Sequence, residues 1–138
     1  MKIVVVGSFA FAKEILNVKK QLEDLGHDVL TTKDLELYAD SPEIKKSFGD
    51  ELKQCIKHDS IRDGFNQIVN SDVMLVCNYN KNGIKGYLGT SVLMELAIAY
   101  HLKKKIFLLF DFDKSQNYGL EVSVINPIII NEDLGRIK

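Results

Sequence analysis

The sequence predicts an α/β domain of the three-layer, doubly wound type (Rossmann- or flavodoxin-like), with about five parallel strands. Short apolar runs without polar alternation, such as IVVV at 3–6 and VMLVC at 73–77, indicate strands that are buried on both faces. Segments with helical spacing separate these runs, and such alternation is typical of a parallel sheet with right-handed crossovers. With 138 residues, the chain is long enough for one domain, and we treat residues 1–138 as that domain.

The first strand, at 3–6, ends at Gly7-Ser8. Apolar residues at a spacing of three or four then predict a helix over 10–25, and Gly26 is a suitable C-cap for it. A weaker strand follows at 28–31.

The segment between the second and third strands has a less regular pattern. Residues 33–41 are expected to form a loop, and Ser41-Pro42-Glu43 predicts a helix start because proline is favoured at the first helical position. The helical pattern then continues to about Asn70, with a break expected at Gly49.

The second half is predicted to hold three more strands, one helix and two long connections. These elements are a strand at 73–77, a loop with three glycines at 78–89, a helix that carries Glu95 and ends at Lys103-Lys104-Lys105, a strand at 106–110, a polar connection at 111–120 and a strand at 128–130.

Composition excludes several classes of function. The net charge is −1, so no overall basic field favours nucleic acid or an anionic membrane surface. Cys55 and Cys77 lack the paired spacing of a zinc or redox motif, and no spacing joins the histidines into a ligand set, so we predict neither metal nor cofactor. No apolar run approaches the length of a membrane span, and we expect a cytoplasmic protein.

Ligands of doubly wound sheets bind outside the carboxyl ends of the strands. This rule selects Gly7-Ser8, residues 78–91 and the segment after Phe110. Backbone N–H groups near Gly7-Ser8 could bind an anion, although the segment GSFAFAK lacks the further glycines of a dinucleotide fingerprint and is equally consistent with an ordinary turn.

Glu95 is the one charged residue between Val92 and Tyr100. It is not the partner of a capping box, because the residue three positions upstream is Val92. Two interpretations remain. The carboxylate either faces solvent along a narrow stripe with Ser91, or it lies at the rim of a buried pocket, where it would be a candidate nucleophile or base.

Asp59 and Asp63 are four residues apart and would share one face of the predicted helix. The early part of that helix is expected near the ligand edge of the sheet, so the pair is either a site feature or a solvated acidic face. His58-Asp59 could suggest a metal-dependent phosphohydrolase, but His27 and His101 lie in other predicted elements, and we predict no metal site.

The ordered set of motifs resembles the nucleoside 2-deoxyribosyltransferase superfamily, which includes the deoxynucleoside 5′-monophosphate N-glycosidases. The resemblance covers roughly residues 1–110. Its motifs are the opening strand with Gly7-Ser8, a helical aspartate ahead of SDVMLVCN (71–78), the glycine-rich approach to MELAIAY (94–100), and KKIFLL (104–109).

The resemblance implies cleavage or transfer of the N-glycosidic bond of a (deoxy)nucleoside or its 5′-monophosphate. Glu95 would be the nucleophile that forms a covalent glycosyl ester, and Asp63 or Asp59 would assist. The implied substrate-binding residues are Gly7, Ser8, Phe9, Asn78, Tyr87, Gly89, Thr90 and Ser91. No cofactor is implied, and family members assemble as homodimers or larger homo-oligomers.

The chain departs from the family pattern in three places. The loop before Glu95 is longer than usual, Gly89 stands where members carry Asp or Ser, and the first loop lacks the Arg and paired glycines used for phosphate. A non-catalytic nucleotide-binding sensor is therefore the alternative. An electron carrier or phospho-acceptor domain fits less well, because the third strand ends in Cys77-Asn78 rather than in an acidic residue.

Overall fold

The computed structural model describes residues 1–40 and 47–138. Within these residues, five strands form one all-parallel sheet in the order β2-β1-β3-β4-β5. The strands are β1 (Lys2–Val6), β2 (Asp28–Leu30), β3 (Val73–Val76), β4 (Lys105–Leu108) and β5 (Ile128–Ile129). Order and pairing are those of a doubly wound α/β domain, and the predicted fold class is confirmed.

Helices cover the sheet on both faces. They are α1 (Ala12–Asp24), α2 (Lys33–Asp40), α3 (Phe48–His58), α4 (Ser60–Val69), α5 (Thr90–His101) and α6 (Gly119–Ile125), with short 3-10 helices at Phe9–Phe11 and Leu134–Arg136. The β-branched run of β1 shows why three layers form. Ile3 and Val5 pack among α1 and α2, whereas Val4 and Val6 pack among α4, α5 and α6.

The predicted loop at 33–41 is wrong, because Lys33–Asp40 forms α2. Leu35, Tyr38 and Ala39 have helical spacing and are buried against the α1 face of the sheet. The start of this helix is capped from a distant part of the chain, since Asp63 Oδ2 accepts from the Lys33 backbone N–H at 3.1 Å. No local sequence motif reveals such a cap.

The break between α3 and α4 falls at Asp59 rather than at Gly49, which lies inside α3. Asp59 has a left-handed backbone (φ 47°), which ends α3 and precedes the first residue of α4. Asp59 and Asp63 therefore do not share a face of one continuous helix. The predicted helix start at Ser41-Pro42-Glu43 lies outside the described residues.

Most other boundaries agree with the prediction within one or two residues. Gly26 follows α1 with φ +93°, as a C-cap glycine should. The sequence analysis predicted no helix between the last two strands, where the structure has α6. Lys104, one of the three lysines after α5, donates through Nζ to the carbonyls of Val69 and Ser71, near the end of α4.

The chain leaves β1 toward β2 on one side, whereas β3 lies on the other side of β1. The connections after β1 and β3 therefore diverge at neighbouring carboxyl ends, which is where doubly wound sheets bind ligands.

Candidate functional site

A cavity of about 310 Å³ opens beside the carboxyl end of β1. The end of β1, α3, the start of α4 and the start of α5 form its walls. Its polar lining residues are Ser8, Thr32, Glu51, Cys55, Ser60, Thr90, Ser91 and Glu95. Apolar side chains, among them Phe9, Leu35 and Phe65, form much of the remaining lining.

Glu95 lies on the cavity wall formed by α5 and is half-buried. Burial raises the pKa of its carboxyl group from 4.5 to about 7, since desolvation disfavours the charged form. Among the described residues, no side chain donates a hydrogen bond to this carboxylate. Of the two interpretations that the sequence left open, this geometry favours the pocket over exposure to solvent.

The Glu95 carboxylate packs against Gly64 of α4. A Cβ atom at position 64 would lie 2.8 Å from Glu95 Oε2, closer than real side chains approach. Gly64 is itself buried, so the absence of a side chain makes room for the carboxylate at the contact of α4 with α5.

The start of α5 lies on the same lining. Gly89 is its N-cap residue and provides no side-chain hydrogen bond, while Thr90 and Ser91 follow on the cavity wall. The first N–H groups of a helix lack intrahelical partners and carry partial positive charge, so this end of α5 favours an anionic or oxygen-rich group.

Ser8 on the cavity lining accepts a hydrogen bond from a lysine that the sequence reasoning did not identify. Lys81 Nζ donates to Ser8 Oγ at 3.0 Å and lies 5.2 Å from the centre of the Tyr87 ring. The turn at Asn82-Gly83, where both residues have positive φ, directs the chain back so that Lys81 pairs with Ile84. An Asn-Gly pair is a strong hairpin signal and could have indicated this ordered loop.

Two predicted binding residues lie off the cavity lining. Asn78 is 1% exposed, and its amide donates to the Phe110 carbonyl at 2.7 Å and accepts from the Phe110 N–H at 3.0 Å. Asn78 therefore joins the ends of β3 and β4, rather than facing the cavity. Tyr87 packs beside Gly89 and under Lys81, next to the start of α5.

The two predicted assisting aspartates are also off the lining. Asp59 forms an exposed ion pair with Arg62 at 2.7 Å. Asp63 accepts from Lys33 N–H and, at 3.4 Å, from Gln67 Nε2. The second carboxyl group that the described residues place on the lining is Glu51 of α3, which carries no motif in the sequence.

A polar network centred on the buried Asp34 lies at the first residue of α4. Asp34 of α2 is 1% exposed and accepts hydrogen bonds from His58 Nδ1 and Ser60 Oγ. Gln54 contacts the same histidine ring. Asp34 meets His58 and Ser60 only because α2 lies beside the junction of α3 and α4, so no sequence spacing connects Asp34 to the other two.

Within residues 1–40 and 47–138, no group of three or more His, Cys, Asp or Glu side chains is arranged to hold a metal ion. No helix in these ranges is long and apolar enough to cross a bilayer. Comparisons of the chain with family models, with curated proteins and with solved structures found no significant match.

Proposed function

We propose that this protein cleaves or transfers the N-glycosidic bond of a (deoxy)nucleoside or nucleoside 5′-monophosphate, through a covalent glycosyl ester on Glu95. One observation carries the proposal. A carboxylate without a hydrogen-bond donor from the described residues lies on a cavity of about 310 Å³ at the ligand edge of the sheet. A carboxylate so placed can act as a nucleophile because little solvation must be removed when it reacts.

In the proposed reaction, a Glu95 carboxylate oxygen bonds to the anomeric carbon while the bond from that carbon to the base nitrogen breaks. The electrons of the broken bond leave with the base, which takes up one proton. Water then attacks the anomeric carbon, returns one proton to the group that protonated the leaving base, and releases the sugar and the Glu95 carboxylate. If a second base attacks instead, it loses one proton in the same way and the result is transfer.

We assign the proton transfer to Glu51. It is the other carboxyl residue on the described lining, whereas Asp59 and Asp63 are engaged in an ion pair and a helix cap. Glu51 lies on α3 and Glu95 on α5, so the two carboxyl groups lie on different cavity walls. Separate carboxyl groups in acid and nucleophile roles are the usual arrangement for glycoside cleavage.

The remaining polar lining would hold the sugar or a 5′-phosphate. Ser8, the Lys81 ammonium bonded to it, and the uncapped start of α5 form a region suited to oxygen-rich or anionic groups. We also propose that the protein acts in the cytoplasm on free nucleosides or nucleotides and assembles as a homo-oligomer.

The test is the release of free base, measured by chromatography, across a panel of nucleosides and their 5′-monophosphates. The wild-type chain should release base from at least one of them. Glu95→Ala should reduce the rate by at least about 10³-fold, since it removes a covalent nucleophile. Glu121→Gln is the matched control, because Glu121 is exposed on α6 and away from the cavity.

A nucleotide sensor without turnover is the second candidate. It is favoured by the placement of Asp63, which caps α2 instead of lining the cavity. A sensor would be stabilised by a nucleotide in thermal denaturation, yet would release no base.

Unchanged base release by Glu95→Ala would contradict the nucleophile role of Glu95.

A further inference from the structure

A serine on the α4 wall of the cavity donates its hydroxyl proton to another side chain of the protein. Ser60, the first residue of α4, donates its hydroxyl proton to Asp34 Oδ2. Ser60 also lines the cavity, whereas Asp34 is 1% exposed. An ionised carboxylate has no proton to give, so in this bond the hydroxyl must be the donor.

The other side of Asp34 holds this polarity in place. Asp34 Oδ1 accepts from His58 Nδ1, and the Gln54 amide nitrogen lies 2.9 Å from Nδ1 and 3.2 Å from Nε2 of the same ring. If Ser60 turned its proton toward a ligand, one oxygen of a fully buried carboxylate would lose its partner. Leaving a buried acceptor without its partner is unfavourable, so the Ser60 hydroxyl proton stays directed at Asp34.

Ser60 is also close to the proposed reactive centre. It precedes Gly64 by one helical turn, and Gly64 is the residue against which the Glu95 carboxylate packs. Side chains four residues apart on a helix lie roughly 5–6 Å apart. Ser60 on α4 therefore lies about one helical turn from the point where the Glu95 carboxylate of α5 packs against Gly64.

We infer that Ser60 is a specificity-determining residue that accepts a hydrogen bond from the ligand, so that the cavity selects a ligand with an O–H or N–H donor at this point. This inference rests on the proposed function for the placement of a nucleoside in the cavity. The donor is either a sugar hydroxyl or the amino group of the base, and the experiment separates these sources.

The probes are 2′-deoxyadenosine and three analogues that each lack one donor: the 3′-hydroxyl, the 5′-hydroxyl or the 6-amino group. Binding is measured by calorimetry in a Glu95→Gln background, so that turnover does not interfere. With Ser60 present, one analogue should bind about tenfold more weakly than 2′-deoxyadenosine, the effect of one lost hydrogen bond. The identity of that analogue names the source of the donor.

Ser60→Ala should weaken binding of 2′-deoxyadenosine about tenfold and leave the discriminated analogue unchanged, so that their ratio approaches one. Ser60→Thr should restore the ratio, because it retains the hydroxyl. Ser123→Ala is the control, since Ser123 bonds to Gly119 within α6 and lies off the cavity lining.

Asp34→Asn provides a second route if Ser60→Ala does not fold. The amide oxygen of this variant would serve His58 Nδ1, which leaves its NH₂ group facing Ser60. The hydroxyl of Ser60 must then accept, and its proton is free for the ligand. Discrimination should again be lost.

Equal weakening of all four probes by Ser60→Ala would overturn the inference, as would the failure of every probe to bind. Base release by the chain with Glu95 intact is measured separately. Selective binding without base release would contradict the proposed catalysis and leave the role of Ser60 supported.

Discussion

The ionisation of Glu95 is coupled to folding, because burial raises the pKa of its carboxyl group to about 7. Between the unfolded pKa of 4.5 and about 7, the folded protein holds a proton that the unfolded chain releases. Stability contributed by this group is therefore full below about pH 4.5, falls as the pH rises to about 7, and is constant above.

Glu95→Gln should remove this pH dependence. The wild-type chain should lose more free energy of unfolding than the variant between about pH 5 and pH 8, by at most about 3 kcal/mol and less where solvent screens the carboxylate. Urea denaturation of both proteins at the two pH values measures the difference. Parallel pH profiles for the two proteins would show that Glu95 titrates as an ordinary exposed carboxylate.

The same titration predicts the pH profile of base release. The nucleophile must be ionised, so kcat/KM should rise about tenfold per pH unit on the acid side and level off above about pH 7. The rates are measured on the free base released from the best substrate of the panel. A plateau that already begins near pH 5 would contradict a raised pKa for the reacting carboxylate.

Asp63 is expected to stabilise α2 rather than to act in chemistry. Asp63→Ala removes the acceptor of the Lys33 N–H and should lower the free energy of unfolding by about 1 kcal/mol, with base release nearly unchanged. Arg62→Ala is the control on the same helix, since its ion pair with Asp59 is exposed and should contribute little. A loss of turnover with normal stability would instead restore the assisting role that the family resemblance implies.

At the level of residues, sequence reasoning identified cavity-lining residues at the turn after β1 and at the start of α5, and it selected Glu95 because that residue type was out of place. Glu95 could be predicted because a lone carboxylate in an apolar helix has few ordinary explanations. Ser60 and Lys81 could not, since a serine and a lysine are common in polar segments. Their roles depend on a buried carboxylate and on a hairpin turn that bring distant residues together.

The contact of α4 with α5 is the element-level feature that positions Glu95. Gly64→Ala should displace the Glu95 carboxylate, because the new Cβ would lie 2.8 Å from Oε2, and should reduce base release at least about tenfold. The chain offers a matched control in Gly49→Ala on α3, where a Cβ meets nothing within 4 Å. That control should gain up to about 1 kcal/mol from helix propensity and keep its activity.

Both variants are compared by circular dichroism and by the base-release assay. Full activity in a folded Gly64→Ala protein would show that Glu95 has room to move away. It would also show that the close packing of the carboxylate is not required for turnover.

The elements themselves were predictable where burial follows from the local sequence. The strands of the central sheet are continuous apolar runs, so their existence and parallel pairing could be inferred. The helix α2 and the break at Asp59 could not, because one depends on a cap from Asp63 and the other on a left-handed aspartate. The first depends on a tertiary contact and the second on the backbone conformation of a single residue.

The proposed homo-oligomer would place its contact on α5. The helix α5 is apolar on most sides, and Met94, Tyr100 and the following Leu102 remain exposed. A helix with so little polar surface is usually covered. Because Met94 also lines the cavity, a second copy placed over α5 would lie beside the site.

Light scattering coupled to size exclusion should therefore give the mass of a dimer or a larger assembly. Tyr100→Glu should shift this mass toward the monomer, because it places a charge in an apolar contact. Leu120→Glu, at an exposed position of α6, should leave the mass unchanged. A monomeric wild-type chain would contradict the oligomer.

The outermost strands of the sheet are also its shortest. β2 has three residues and β5 has two, so each flank presents only a few unpaired backbone groups. A second polypeptide chain would meet too few unpaired backbone N–H and C=O groups on either edge strand to add a further strand to the sheet. The protein should accordingly resist fibril formation and domain exchange at high concentration, even though the interior strands are among the most aggregation-prone stretches of its sequence.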